Sequence, residues 1–220
     1  MRFPRPVRGV VFDMDGVLID SEAVWRDAQL AEAKARDVHL PLEVVLSLIG
    51  NPHDESSKLL RNHFGPDFDL DEHLAACGAR AQAAEILLKG GVIELLDALD
   101  ALGLPRAVAT SSSETAVQRN LGRHGLLDRF DAFVAAEHCV NRKPHPEPYL
   151  NAARALGLDP ADCLALEDSH TGVRSAHAAG MMTVMTPDLV APTEEIGALC
   201  VAIATTLHDV REALLSSRAG

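Results

Sequence analysis

VVFDMDGVLIDSE, residues 10–22, carries the reading on which the fold rests. Val10-Val11-Phe12 is a β-branched and aromatic run that reads as a short buried strand, and it gives way at once to acids and a glycine. If extended geometry continues to Asp15, side chains two apart share a face, which sets Asp13 and Asp15 side by side. Two carboxylates that close repel, and a bound cation is one answer. Gly16 lets the backbone turn and approach a ligand closely. Taken alone, the fragment reads equally well as a strand ending in an Asp-Gly turn.

Downstream the pattern turns helical. Helices are expected over Glu22–Arg36, over Pro41–Ile49 ended by Gly50, over Asp54–His63 ended by Gly65, and over Asp71–Lys89 ended by Gly90-Gly91. Strand and helix then alternate. Helix Val92–Leu102 is followed by strand Arg106–Ala109, helix Glu114–His124, strand Ala132–Ala136 and helix Pro148–Leu156. Strand Cys163–Leu166, helix Gly172–Ala179 and strand Met182–Met185 complete the alternation. The run Val201–Ala204 and a helix Leu207–Leu215 add an edge strand and a closing element. Alternation implies right-handed crossovers and a parallel sheet covered on both faces. The fold class is therefore α/β, with an all-helical insert placed to cover the end of the first strand.

Three later fragments repeat the motif of an apolar run ending in chemistry. AVATSSSET ends a strand at Thr110 and opens a helix through Ser111 to Glu114, an S-x-x-E capping pattern, and a helix N-terminus with hydroxyls suits a phosphate as well as a cap. NRKPHPEPY sets Lys143 ahead of alternating prolines that stiffen it; alone it is also a solvated loop lysine. CLALEDSHTG ends in Glu167 and Asp168 ahead of Ser169, a helix cap; the acids read either as an oxygen-rich cation site or as charges favoured by the helix dipole. In a parallel sheet all four strand ends open on one edge, where ligands bind. Several carboxylates, a lysine, a hydroxyl and a helix N-terminus form an inventory suited to a metal-bound phosphoryl group.

Bulk properties narrow the alternatives. A formal net charge of −12 opposes binding to nucleic acid or anionic membranes. Cys77, Cys139, Cys163 and Cys200 make no CxxC pair, and no histidine spacing, His138 beside Cys139 included, resembles a zinc ligand set. The cysteines are expected to be reduced. The first residues lack the apolar core of an export signal, and no apolar run approaches the roughly 20 residues of a membrane helix. A cytoplasmic location is the default.

The chain resembles the haloacid-dehalogenase-like hydrolases, in the branch of β-phosphoglucomutase and phosphoglycolate-phosphatase-like enzymes with a small helical cap. The likeness is carried by DMDGVLIDSE, Thr110-Ser111, Lys143 in RKPHPEP, and EDSHTGVRSAHAAGM. It implies a Rossmann-like core of residues 1–20 and 88–220 with a cap of residues 21–87. It also implies that Asp13 is the nucleophile and Asp15 the general acid and base. Gly16, Thr110, Ser111 and Lys143 would bind the phosphoryl group, and Asp13, Asp15, Glu167 and Asp168 would hold Mg2+. Mutases of the branch use a cap histidine and a cap arginine, where this chain has Trp25 and, in IGNPHDES, His53. Phosphonate-cleaving relatives use a cap lysine, and neither Lys34 nor Lys58 has a matching setting. Dehalogenases lack the second aspartate, present here as Asp15.

The resulting expectation is a magnesium-dependent phosphatase of a small phosphorylated metabolite, with Trp25, Asn51 and His53 shaping specificity, acting as a monomer or weak homo-oligomer. A sugar phosphomutase is the alternative, and a non-catalytic metabolite-binding protein a third.

Overall fold

A computed structural model describes residues 1–49 and 53–218, with only the backbone of His53, Asp54 and Arg218. Its centre is a six-stranded, wholly parallel sheet: β1 (Gly9–Phe12), β2 (Arg106–Ala109), β3 (Ala132–Val134), β4 (Cys163–Glu167), β5 (Met182–Met185) and β6 (Ala202–Ile203), in the order β3-β2-β1-β4-β5-β6. The order reverses at β1, so the crevice between the ends of β1 and β4 is the switch point of the sheet.

The period of two along β1 divides the core. Val10 and Phe12 point into a layer with Val108, Leu164 and Leu166, covered by Leu95, Leu96 and Leu99 of α5 (Val92–Leu102) and by Val210 and Leu214 of α10 (Leu207–Arg218). Val11 points the other way, into a layer of small residues: Ala107, Ala109 and Ala165 lie under Tyr149, Ala152 and Ala153 of α7 (Glu147–Ala155). Covered on both faces, these strands are buried at every position rather than at alternate ones. The small residues let α7 lie close to the sheet, which brings its preceding loop to the strand ends.

Between β1 and α5 lie four helices: α1 (Ser21–Ala35), α2 (Leu42–Leu46), α3 (His53–Phe64) and α4 (Leu70–Ala83). They bury a cluster of their own, Ala33, Leu40, Val45, Leu60 and Leu70, with Phe64 and Phe68 stacked 4.1 Å apart at its edge. Glu32 of α1 takes Arg36 at 3.1 Å and Arg80 of α4 at 2.7 Å, which fastens the two longest of these helices together. The chain enters and leaves this block along two neighbouring antiparallel stretches. Asp20 N–H donates to the Leu87 carbonyl at 2.8 Å and Lys89 N–H to the Leu18 carbonyl at 3.0 Å.

Several boundaries differ from the sequence expectation. The helix expected to reach Lys89 ends at Ala83, because residues 84–89 are the extended return stretch that pairs with Leu18 to Asp20. The helix expected over 41–49 keeps only Leu42–Leu46. Helix α6 (Glu114–Arg123) is capped by Ser113, whose hydroxyl accepts from Ala116 N–H, so the expected Ser111 cap is not formed and Ser111 stays outside the helix. Unexpected from sequence is α9 (Glu194–Leu199), a six-residue helix capped by Thr193, with Ile196 buried against Val173 and Met185. Its single buried residue and Gly197 leave no period to read. Among the described residues no helix is long and apolar enough to cross a membrane.

Candidate active site

Asp13 follows the last residue of β1, and its N–H still donates to the Leu166 carbonyl of β4 at 2.9 Å, so its side chain is fixed at the switch point. Extended geometry stops there. The Met14 carbonyl accepts from Leu18 and Ile19, and Gly16 N–H donates to the Ile19 carbonyl, folding residues 14–19 into a turn. Gly16 takes φ +79°, and a Cβ there would lie 2.1 Å from Asp168 Oδ2, so only glycine admits the Asp168 carboxylate. Asp13 and Asp15 do share one cavity, brought there by the turn rather than by a continued strand.

Asp15 is held by hydroxyls. Ser21 Oγ donates to its Oδ1 at 2.6 Å, and Ser112 Oγ at 2.7 Å and Thr110 Oγ1 at 3.3 Å reach its Oδ2. Thr110 is buried at the end of β2 and also accepts from Ser112 N–H at 3.0 Å. Ser111, between them, is exposed and lines the cavity.

Lys143 is buried, with Nζ 2.9 Å from Asp13 Oδ1 and 2.6 Å from Glu167 Oε1, and it lies over the Tyr149 ring. Its loop is pinned on both sides. Glu147 accepts from Val140 N–H at 2.7 Å and Asn141 N–H at 3.0 Å, and Ser175 Oγ donates to the His145 carbonyl at 2.6 Å.

The two adjacent acids after β4 differ. Glu167 is wholly buried and its oxygens are fully engaged: Oε1 accepts from Lys143 and from the Tyr149 hydroxyl at 2.6 Å, and Oε2 from Asp168 N–H, Ser169 N–H and Ser169 Oγ. It lies so close to α8 (His170–Ala178) that a Cβ on Gly172 would meet Oε1 at 1.8 Å. Asp168, 3% exposed, accepts no hydrogen bond on its carboxylate from any described residue. Asp13, Glu167 and Asp168 each present an oxygen within 4.8 Å of the others.

The electrostatics follow from this crowding. Burial pushes the Asp13 carboxyl up to about 7, with Lys143 pulling down and Glu167 and Asp15 pushing further up. Burial, then Glu167 and Asp13, push Asp168 well above the usual carboxylate range. Glu22 at the start of α1 is pushed up to about 8 by burial and by Asp15 and Asp13. Burial disfavours the Lys143 ammonium, but Asp13 and Glu167 outweigh it and hold it above the ordinary lysine range. One ammonium against three carboxylates leaves negative charge that an all-oxygen donor set normally offers to a hard divalent cation. The donor set fits magnesium.

The cavity, about 390 Å3, lies between the strand ends and the four-helix block. Of the sequence-derived site residues it is lined by Asp13, Asp15, Thr110, Ser111, Lys143, Asp168 and Trp25, while Gly16 and Glu167 stand behind them. Asn51 and the side chain of His53 lie outside the described residues. Sequence reasoning missed Ser21, Ser112, Tyr149 and Gln29. Ser21 and Ser112 sit beside motif residues and their hydroxyls were the available signal; nothing local marked Tyr149 or Gln29.

A family model described as haloacid dehalogenase-like hydrolase matches residues 7–180. The chain is 32% identical over 199 residues to hexitol phosphatase B of Escherichia coli (strain K12), covering 85% of this chain and 86% of that protein. It is 30% identical over 181 residues to the fructose-1-phosphate phosphatase YqaB of the same organism, covering 80% and 94%. A solved HAD family hydrolase from Deinococcus radiodurans R1, with bound phosphate and sodium, superposes with a TM-score of 0.80 at 28% identity, over 96% of each chain. With the parallel sheet and the acid-lined switch point, these likenesses establish that the chain is an enzyme and belongs to the haloacid dehalogenase-like hydrolases.

Proposed function

We propose that this phosphatase hydrolyses a small phosphate monoester through a phosphorylated Asp13. An Asp13 oxygen attacks phosphorus and the bond to the ester oxygen breaks; that oxygen takes the proton of the Asp15 carboxyl. Asp15, now ionised, removes a proton from water as the water attacks phosphorus, and the Asp13–phosphorus bond breaks to release inorganic phosphate. Ser21 and Ser112 orient Asp15 by donating to its two oxygens. Lys143, Thr110 and the Ser111 amide bind the phosphoryl oxygens, and Glu167 with Tyr149 holds Lys143 in place.

Asp13, Asp168 and the Asp15 main-chain carbonyl would hold Mg2+, with Glu167 adding negative charge behind them. Bound there, the ion neutralises charge on the phosphoryl group and on the crowded carboxylates. Residues 21–87 act as a cap over a core of 1–20 and 88–220; the separate apolar cluster of the four helices and the cavity beneath them support this division. Trp25, 43% exposed and lining the cavity, is a cap residue that meets substrate.

The observation that carries the reading is the Asp168 carboxylate, which lines the cavity and takes no hydrogen bond from any described residue, beside an Asp13 already paired with Lys143. The experiment is a panel of small phosphate esters assayed for inorganic phosphate. Turnover is expected with magnesium, and a chelator is expected to remove at least about 100-fold of it. An isomerised sugar phosphate formed without phosphate release would replace this reading with the mutase one, and turnover indifferent to chelation would overturn the metal site.

A further inference from the structure

Gln29 of α1 is 6% exposed, lines the active-site cavity, and makes its side-chain contact with a second buried polar residue rather than with solvent. Its Oε1 lies 2.9 Å from Nε2 of His73 on α4. His73 is fully buried with its ring packed edgewise near Phe64 and Phe68, at 5.4 Å from each, and its Nδ1 has no partner among the described residues. Burial lowers the His73 pKa, so the imidazole is neutral and carries one N–H.

The surroundings decide which nitrogen bears the proton. An N–H at Nδ1 would be buried with no acceptor, which costs more than an idle acceptor lone pair. Cys77 Sγ stands 3.8 Å from the Ala28 carbonyl, to which it donates, leaving its sulfur as a second acceptor 3.6 Å from Nε2. The proton therefore sits on Nε2 and points at Gln29 Oε1. That bond fixes the carboxamide: its oxygen is taken, and its NH2 group, with two donors and no acceptor among the described residues, is turned to the cavity.

We propose that Gln29, oriented by His73, is a specificity-determining residue that donates hydrogen bonds to a neutral oxygen, a hydroxyl or carbonyl, on the part of the substrate that departs from phosphorus. This rests on the phosphatase reading. Val45, Leu48, Leu60 and Leu74 line the same cavity, so a carboxylate or second phosphate there would be desolvated against a neutral donor. The lining cations other than Lys143 are Arg26, held by Asp27 at 2.8 Å, and Arg142, the sequence neighbour of Lys143. The substrate class is a phosphate ester of a short hydroxylated chain or sugar.

The test compares kcat/KM for sorbitol 6-phosphate with that for hexyl phosphate, phosphoglycolate and p-nitrophenyl phosphate. The wild type is expected to prefer the polyol ester over hexyl phosphate and phosphoglycolate by about tenfold or more, the scale of one or two neutral hydrogen bonds. Gln29→Met, close in volume but without donors, is expected to reduce the polyol-to-hexyl ratio about tenfold. His73→Phe is expected to reduce it comparably, with little further loss in the double variant, since both act through one carboxamide. If the wild type hydrolyses none of the four esters, the phosphatase reading fails first. If it hydrolyses p-nitrophenyl phosphate but shows no polyol preference, or keeps that preference in Gln29→Met, the assignment to Gln29 is overturned. Should one variant fail to fold, the other carries the test, and an unchanged polyol-to-hexyl ratio in it overturns the assignment.

Discussion

Crowded carboxylates repel, and Asp168, which takes no hydrogen bond on its carboxylate from any described residue, faces the cavity beside Asp13, which has one lysine for a counter-charge. The neighbouring Glu167 spends its oxygens on Lys143, Tyr149 and two main-chain amides. Two adjacent acids thus differ in setting, Asp168 facing the cavity and Glu167 bonded to the lysine. Asp13→Asn removes the proposed nucleophile, and phosphate release is expected to fall by at least about 1,000-fold while inorganic phosphate still binds, which product assay and calorimetry together read out. The raised carboxyls also predict a pH dependence of stability. Asp13 moves from 3.8 to about 7 and Glu22 from 4.5 to about 8, so the folded chain keeps protons that the unfolded chain has lost. Between about pH 4 and pH 8 the metal-free protein therefore loses stability as pH rises. In chelator, Tm is expected to drop by about 10 °C or more from pH 5 to pH 8, and magnesium is expected to raise Tm more at the higher pH.

At the scale of elements, the site is a set of strand ends joined to helix starts. Ser169 caps α8 by accepting from Gly172 N–H at 3.1 Å, and the same hydroxyl donates to Glu167, so the start of α8 and the position of the lysine anchor are one construction. Gly172 is the tightest point: a methyl group there would stand 1.8 Å from Glu167 Oε1, within a helix that cannot shift without moving Val173 and Ala176 out of the core. Gly172→Ala is expected to lower stability by about 1–3 kcal/mol, by overpacking. It is also expected to cut kcat by about 100-fold through displacement of Lys143. Denaturant unfolding and steady-state kinetics on the same preparation check both. A variant with wild-type kinetics would show that Glu167 does not position Lys143.

Taken whole, the molecule encloses its reactive groups between a sheet edge and four helices, in a cavity of about 390 Å3. That volume sets a size limit on the ester. A phosphoserine peptide is expected to be hydrolysed at least about 100-fold less efficiently than a hexose or hexitol phosphate, since its flanking chain has to pass the helices. Equal kcat/KM for the two would mean that the helices do not cover the bound substrate. The net charge of −12 and the three carboxylates facing one Lys143 at this edge both oppose a phosphorylated substrate, which is why binding of the ester is expected to depend on a divalent cation.

The sequence alone determined the order of the strands and of the helices other than α9, and it marked the four fragments that meet at the cavity. Val10 to Phe12, Arg106 to Ala109, Cys163 to Leu166 and Met182 to Met185 are short runs whose composition suits a buried strand, and the first three lead straight into Asp13, Thr110 and Glu167. What tertiary structure decided was which groups face one another. Strand order β3-β2-β1-β4 brings Thr110 and Asp168 to either side of Asp13, an adjacency between residues far apart in the chain. The end of α4 at Ala83 was set by pairing with residues 18–20, and the pairing of His73 with Gln29 by two helices packing face to face. Local sequence encodes propensity and period, which act over a few residues; hydrogen bonds across elements depend on where the folded chain returns, and they exist only once it has done so.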